Sequence, residues 1–137
     1  MMKKRIYETM YDKLVKLGII NQDGSLKFDE YIKLKSGIFM DLNIDHLSHK
    51  DDDRSIVISL AHNYIQDGDV MADPDMEIRI IPSLKMVEAL TFQQDSTGTY
   101  QQVYLEDGRF YPSLKKELNN FLNSWLKNLI EQGFSNN

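Results

Sequence analysis

Apolar residues return every three or four positions near the start of the chain, at Ile6, Tyr7, Met10, Tyr11, Leu14, Val15 and Leu17. That spacing lines one face of a helix, so an amphipathic helix is expected from Lys4 to Leu17. Gly18 follows where a left-handed terminating residue belongs. Asn21-Gln-Asp-Gly-Ser25 is turn chemistry, and residues 28–35 are weakly patterned. From Ile38 the period drops to two: Ile38, Met40, Leu42 and Ile44 alternate with Phe39, Asp41, Asn43 and Asp45, as in a half-buried strand.

The charged stretch from Ser48 to Arg54 connects that strand to Ser55–Tyr64, a β-branched run with Ile56, Ile58 and Leu60 on one face. The two together predict a hairpin. A loop is expected from Gln66 to Asp75, then a strand from Met76 to Ile81 that Pro82 ends. Met86 to Gln94 carries Met86, Leu90 and Phe92 on one side and Val87 and Ala89 on the other, which suits a central strand. A turn at Asp95-Ser-Thr-Gly98 leads to a last strand, Tyr100–Leu105. From Pro112 to Gln132, Leu114, Leu118, Phe121, Leu122, Trp125, Leu126, Leu129 and Ile130 form a long helical stripe. Pro112 suits its first turn and Gly133 its end.

A helix, about five strands with short connections and a second helix make an α+β domain. Its antiparallel sheet is flanked by an N-terminal and a long C-terminal helix, in a single domain spanning residues 1–137. If both helices cover one sheet face, the other carries Asp41, Asn43, Asp45, Ser59, Asn63, Glu77 and Arg79. Such a face would be polar and available. Trp125 and Phe121 are expected in the core.

Composition narrows the function classes. The chain of 137 residues is 42% hydrophobic and 27% charged, ordinary for one globular domain. No apolar run approaches the roughly 20 residues of a membrane helix. The basic start Met1-Met-Lys-Lys-Arg5 leads into charge rather than an apolar stretch, so export is not expected. Cysteine is absent, which removes disulfides and thiolate chemistry and fits a cytoplasmic location. A net charge of −5 and a pI near 5.1 disfavour direct binding to nucleic acid. Lys3, Lys4, Arg5, Lys33 and Lys35 read as solvated charge.

The segment His62-Asn-Tyr-Ile-Gln-Asp-Gly-Asp-Val-Met-Ala-Asp-Pro-Asp-Met-Glu77 sets five carboxylates beside a histidine. Oxygen-rich loops hold hard cations, which makes Asp69, Asp73 and Asp75 the metal candidates, with His62 as a further ligand. The order of a calcium loop is missing, however, and no cofactor is expected. The structural alternative is a hairpin connection in which Asp67-Gly68 turns, Asp69 or Asp73 accepts backbone N–H groups and Pro74 stiffens the exit. His62 reads as a hydrogen-bonded residue near a strand end, and His46 and His49 as part of a solvated loop with Asp51–Asp53. Gln93, Gln94, Asp95, Tyr100, Gln101 and Gln102 bracket a turn with the amides and ring of a recognition surface. The binding candidates are therefore His62, Asn63, Tyr64, Asp69, Asp73, Asp75, Glu77, Gln94, Asp95 and Tyr100. No nucleophile elbow and no glycine-rich phosphate loop occurs.

Three runs carry a resemblance: Gly68-Asp-x-Met-x-Asp-Pro-Asp-Met-Glu-Ile-Arg-Ile80, Met86-Val-Glu-Ala-Leu-Thr-Phe-Gln-Gln94 and Asn120-Phe-Leu-x-x-Trp-Leu126. Over roughly Gly37 to Phe134 the chain resembles a group of small bacterial proteins of unknown function, some of them encoded on mobile elements. The resemblance implies a complete domain and brings no catalytic residue with it. The favoured function is a non-enzymatic interaction or accessory module with a protein partner, without nucleic acid or membrane. The alternatives are a metal-assisted hydrolase or metal-regulated domain built on residues 67–77, and a homodimer formed through an open sheet edge or an apolar face.

Overall fold

The computed structural model describes residues 4–50 and 52–137, so Lys3 of the basic start and Asp51 of the acidic connection lie outside the described residues. The first helix, α1, runs Ile6–Leu17 and buries Met10, Tyr11, Leu14 and Leu17. Glu8 reaches back to the backbone N–H of Arg5 at 3.4 Å. Gly18 ends the helix at φ +78, and a Cβ there would stand 2.8 Å from the Asn137 side chain. The two C-terminal asparagines complete this end: Asn136 donates its backbone N–H to the Leu17 carbonyl at 2.9 Å, and the Asn137 side chain donates to that of Lys16 at 3.1 Å.

The strands are β1 (Tyr31–Leu34), β2 (Leu42–His49), β3 (Ile56–Gln66), β4 (Asp69–Ile81), β5 (Met86–Ala89), β6 (Thr91–Gln94) and β7 (Thr99–Gln102), and α2 (Pro112–Glu131) follows. They form one antiparallel sheet in the order β1-β2-β3-β4-β6-β7, with β5 also paired to β4. Fully buried side chains fall on alternate positions: Leu42 and Ile44, Ile58 and Leu60, Met76, Ile78 and Ile80, Val87 and Ala89. They pack with Leu118, Leu122, Trp125, Leu126 and Leu129 of α2 and with the buried side of α1. Both helices therefore lie on one face. Burying each large apolar side chain contributes roughly 1.5–3 kcal/mol, which makes this single layer the main source of stability.

Five expectations change. The sheet has seven strands among the described residues rather than about five. Ile38 and Met40 do not start a strand: Ile38 is 97% exposed, Gly37 takes φ +53, and the Phe39 N–H closes a turn on the Ser36 carbonyl. The loop from Gln66 to Asp75 is instead the tip of a long β3–β4 hairpin with only Asp67 and Gly68 outside the strands, because register pairing with β3 outweighs the low strand preference of aspartate. The strand expected at Met86–Gln94 breaks at Leu90, whose N–H goes to the Glu77 carbonyl. Phe121 sits at the edge of the core, 40% exposed and edge-on to Phe92 at 5.2 Å between ring centroids. No helix among the described residues is long and apolar enough to cross a membrane.

A candidate binding face on the open side of the sheet

Alternation along each strand sends the residues between the core positions to the uncovered face. Register then lines them up across strands. One row reads Lys33, Asn43, Ala61, Asp75, Gln93 and Tyr100, and the next reads Tyr31, Asp45, Ser59 and Glu77. Ser59 and Ala61 are small, so the middle of this face is a shallow trough with Asp45 on one side and Asp75 and Glu77 on the other.

Hydrogen bonds order the flanks. The Tyr31 hydroxyl donates to Asn43 Oδ1 at 2.5 Å, and Asn43 Nδ2 donates to Asn63 Oδ1 at 2.6 Å. Asp95 accepts the Ala72 backbone N–H and the Gln93 side-chain amide, each at 2.7 Å. These two bonds hold its carboxyl below the ordinary aspartate range. Thr91 donates its hydroxyl to Glu77 at 3.3 Å. A groove of about 460 Å³ runs along Tyr31, Asn43, Asp45, Asn63 and Tyr64 to the exposed pair Ile65 and Val70 at the hairpin tip.

Asp75 is the electrostatic centre of this face. Partial burial first, and then the neighbouring charges of Glu77, Asp95 and Asp45, push its carboxyl above the ordinary aspartate value. The Tyr64 hydroxyl is likewise pushed up, by burial and by the Asp73 and Asp95 carboxylates. A raised acid binds its proton more tightly in the folded chain than in the unfolded one. Its favourable contribution is therefore present below the unfolded value and is lost as pH rises through the raised folded value. Asp75→Asn is expected to raise the thermal midpoint by a few degrees at neutral pH. The gain should shrink to nothing below about pH 4, where the wild-type carboxyl is protonated. Melts of both proteins across pH check this; a variant less stable than wild type at pH 7 contradicts it.

Of the sequence-derived candidates, Asn63, Tyr64, Asp73, Asp75, Glu77, Asp95 and Tyr100 come together on or beside this face. His62 does not. It points to the helices, with ring centroids 5.6 Å from Trp125 and 6.0 Å from Phe134, and its Nδ1 lies 3.1 Å from the Asp41 carbonyl. Asp69 begins β4 and is exposed, roughly 20 Å along the strand from Asp75. The described residues contain no group of three His, Cys, Asp or Glu side chains able to hold a metal ion. Gln94 falls on the opposite side of β6 from Gln93. The carboxylate that accepts a backbone N–H beside this hairpin is that of Asp95. Sequence reasoning missed Tyr31, whose alternation with Ile32 was the available signal, and the exposed Ile65–Val70 pair.

Residues 9–135 match a family described as a domain of unknown function, DUF6908. The chain belongs to that family. Its span takes in most of α1, which the resemblance starting near Gly37 leaves out, so the family comprises the whole helix-covered sheet. No curated protein and no solved structure matches the chain.

Proposed function

We propose that this domain is a non-enzymatic interaction module whose open sheet face takes a basic, Lys- and Arg-bearing surface of a protein partner. The observation that carries this reading is the convergence of Asp45, Asp75, Glu77 and Asp95 around one point of an uncovered sheet. Like charges gathered at cost to the isolated chain are relieved when a cation arrives. Tyr31, Tyr64 and Tyr100 border the same carboxylates, and tyrosines supply large contact area with few rotamers to order. The exposed Ile65 and Val70 add an apolar end to the groove.

A phosphate backbone would be repelled here, which is why the partner is a protein and not nucleic acid. An accessory role in a bacterial cytoplasm agrees with this reading. The metal-based alternative has less support, since Asp69 stands far from Asp75. Pairing of two copies through β1 or β7 would rest on edges of only four residues each.

A decapeptide alternating Lys and Arg with Ala is the defined probe. Fluorescence anisotropy is expected to give saturable binding that weakens at least tenfold in Asp75→Asn/Glu77→Gln and falls steeply as salt rises, as charge-assisted contacts require. Equal affinity of the double variant and wild type would remove the basis for this function.

A further inference from the structure

On the helix-covered side, away from the acidic face, the end of β2 with Lys50, Arg54 and Ile56 and the segment from Asp23 to Asp29 line a cleft of about 540 Å³. Three departures from easy local structure meet there. The first is a β-bulge in β2 between His46 and Ser48. His46 pairs with Ile58 and His49 with Ile56, so both histidines face the same side although they are three residues apart. In an unbroken strand they would face opposite sides. The bulge brings their ring centroids to 5.7 Å, and both rings line the cleft.

The second departure is Nε2 of His46, which is buried and has no hydrogen-bond partner among the described residues. The third is Arg54, a non-glycine residue held at φ +56 on the cleft rim. Its guanidinium has no ion pair or hydrogen bond among the described residues. The opposite wall is tightly built: Gly24 takes φ +92, and a Cβ there would stand 2.6 Å from Pro82.

The lining chemistry selects the ligand. Lys50 and Arg54 bring positive charge beside the two imidazoles, and Phe28 and Ile56 add apolar surface. Asp23, which also borders the cleft, is occupied by the backbone N–H and hydroxyl of Ser25 at 3.0 and 2.6 Å. Asp53, which acts on Lys50, accepts the Ser55 N–H at 2.9 Å. Asp29 also lines the cleft, has no such bond among the described residues, and disfavours a ligand with several negative charges. The volume lies within the 300–1,000 Å³ of small-molecule sites.

We propose that this cleft is a binding site for a small organic anion, a carboxylate or phosphate monoester on an apolar body, with Arg54 and Lys50 holding the charged group beside His46 and His49. The site is separate from the acidic face and does not depend on its function.

The test is a titration of the ¹⁵N-labelled protein with phenylacetate, with phenyl phosphate and with neutral 2-phenylethanol, followed by NMR. Saturable shifts confined to residues 23–29 and 46–56 are expected for one or both anions, with none for the alcohol. The tighter anion identifies the charged group. Arg54→Gln should weaken that anion about tenfold, the loss of one charge-assisted contact, and Arg54→Lys should recover part of the loss. Arg54 is exposed, so both variants should keep the wild-type spectrum; His46→Gln is the second probe. The proposal is overturned by absence of saturable shifts at about 10 mM of either anion, by equal binding of the alcohol, or by unchanged affinity in both Arg54→Gln and His46→Gln.

Discussion

Trp125→Ala is expected to cost about 3–5 kcal/mol of folding free energy, as removal of a buried indole does when the site cannot collapse. The residue is 7% exposed and lies between His62 of β3 and Phe121 of its own helix, at centroid distances of 5.6 and 6.2 Å. It is the single tryptophan, and it joins α2 to the part of β3 where the sheet leaves the central core. Domains of this size hold only about 5–15 kcal/mol in total. The variant should therefore lose much of its urea resistance, read by circular dichroism because the tryptophan signal is gone. Trp125→Phe, which keeps an aromatic ring against His62, should recover most of the loss. A cost below about 1 kcal/mol for the alanine variant would mean that α2 is not docked as described.

Asn119→Leu is expected to destabilise by about 2 kcal/mol although it makes α2 more apolar. Asn119 is 2% exposed. Its Oδ1 accepts the backbone N–H of Ala89 at 2.8 Å, and its Nδ2 donates to the Lys115 carbonyl at 2.7 Å. The Leu90 N–H bonds the Glu77 carbonyl, and Ala89 pairs with Ile78 one step before it. Ala89 is therefore at a non-hydrogen-bonded position of the ladder, and its N–H points away from β4, to the edge of β5 where Asn119 meets it. Leucine would leave it buried and unpaired, and an unsatisfied amide costs about 1–3 kcal/mol. Urea denaturation gives the magnitude. Hydrogen exchange gives the mechanism, since protection at Ala89 should fall more than at its neighbours Val87 and Glu88. Uniform loss of protection would point to general loosening.

The parts of the fold that could be read in advance are those where one local rule decides. The stripe from Leu114 to Ile130 is α2, and Gly18 ends α1 in the left-handed conformation the pattern requires. Alternation also identified the open face, since Asn43, Asp45, Ser59, Asn63, Glu77 and Arg79 lie in strands and off the core, whereas Asp41, expected with them, precedes β2 and sets its carbonyl against His62. The failures came where pairing across the sheet overrides local preference. Asp69 to Asp75 holds aspartates and a proline that argue for a loop, yet backbone pairing with β3 draws them into a strand. Ile38 and Met40 imitate alternation, but they sit beyond a glycine turn with nothing to pack on. β1 is four residues long, too short for a period to declare itself.

The candidate site was half legible for the same reason. Asp75, Glu77, Asp95 and Tyr100 could be named as candidates and Asp45 placed on the open face, but that Asp45 and Asp95 reach Asp75 follows only from register between β2, β3, β4 and β6. Separation in sequence hides such neighbours. The His46–His49 pair was less visible still, because a bulge shifts the strand by one residue and no spacing rule anticipates it.

Where the basic decapeptide lands on the ¹⁵N-labelled protein decides whether the open sheet face binds it. In ¹H–¹⁵N spectra of the wild-type protein, its addition should shift the amides of Asp45, Asn63, Asp75, Glu77, Gln93 and Tyr100. Those of α1 and α2 should stay in place. Shifts spread evenly over the molecule, or concentrated on the helical side, would contradict the assignment of the open sheet face as the binding surface.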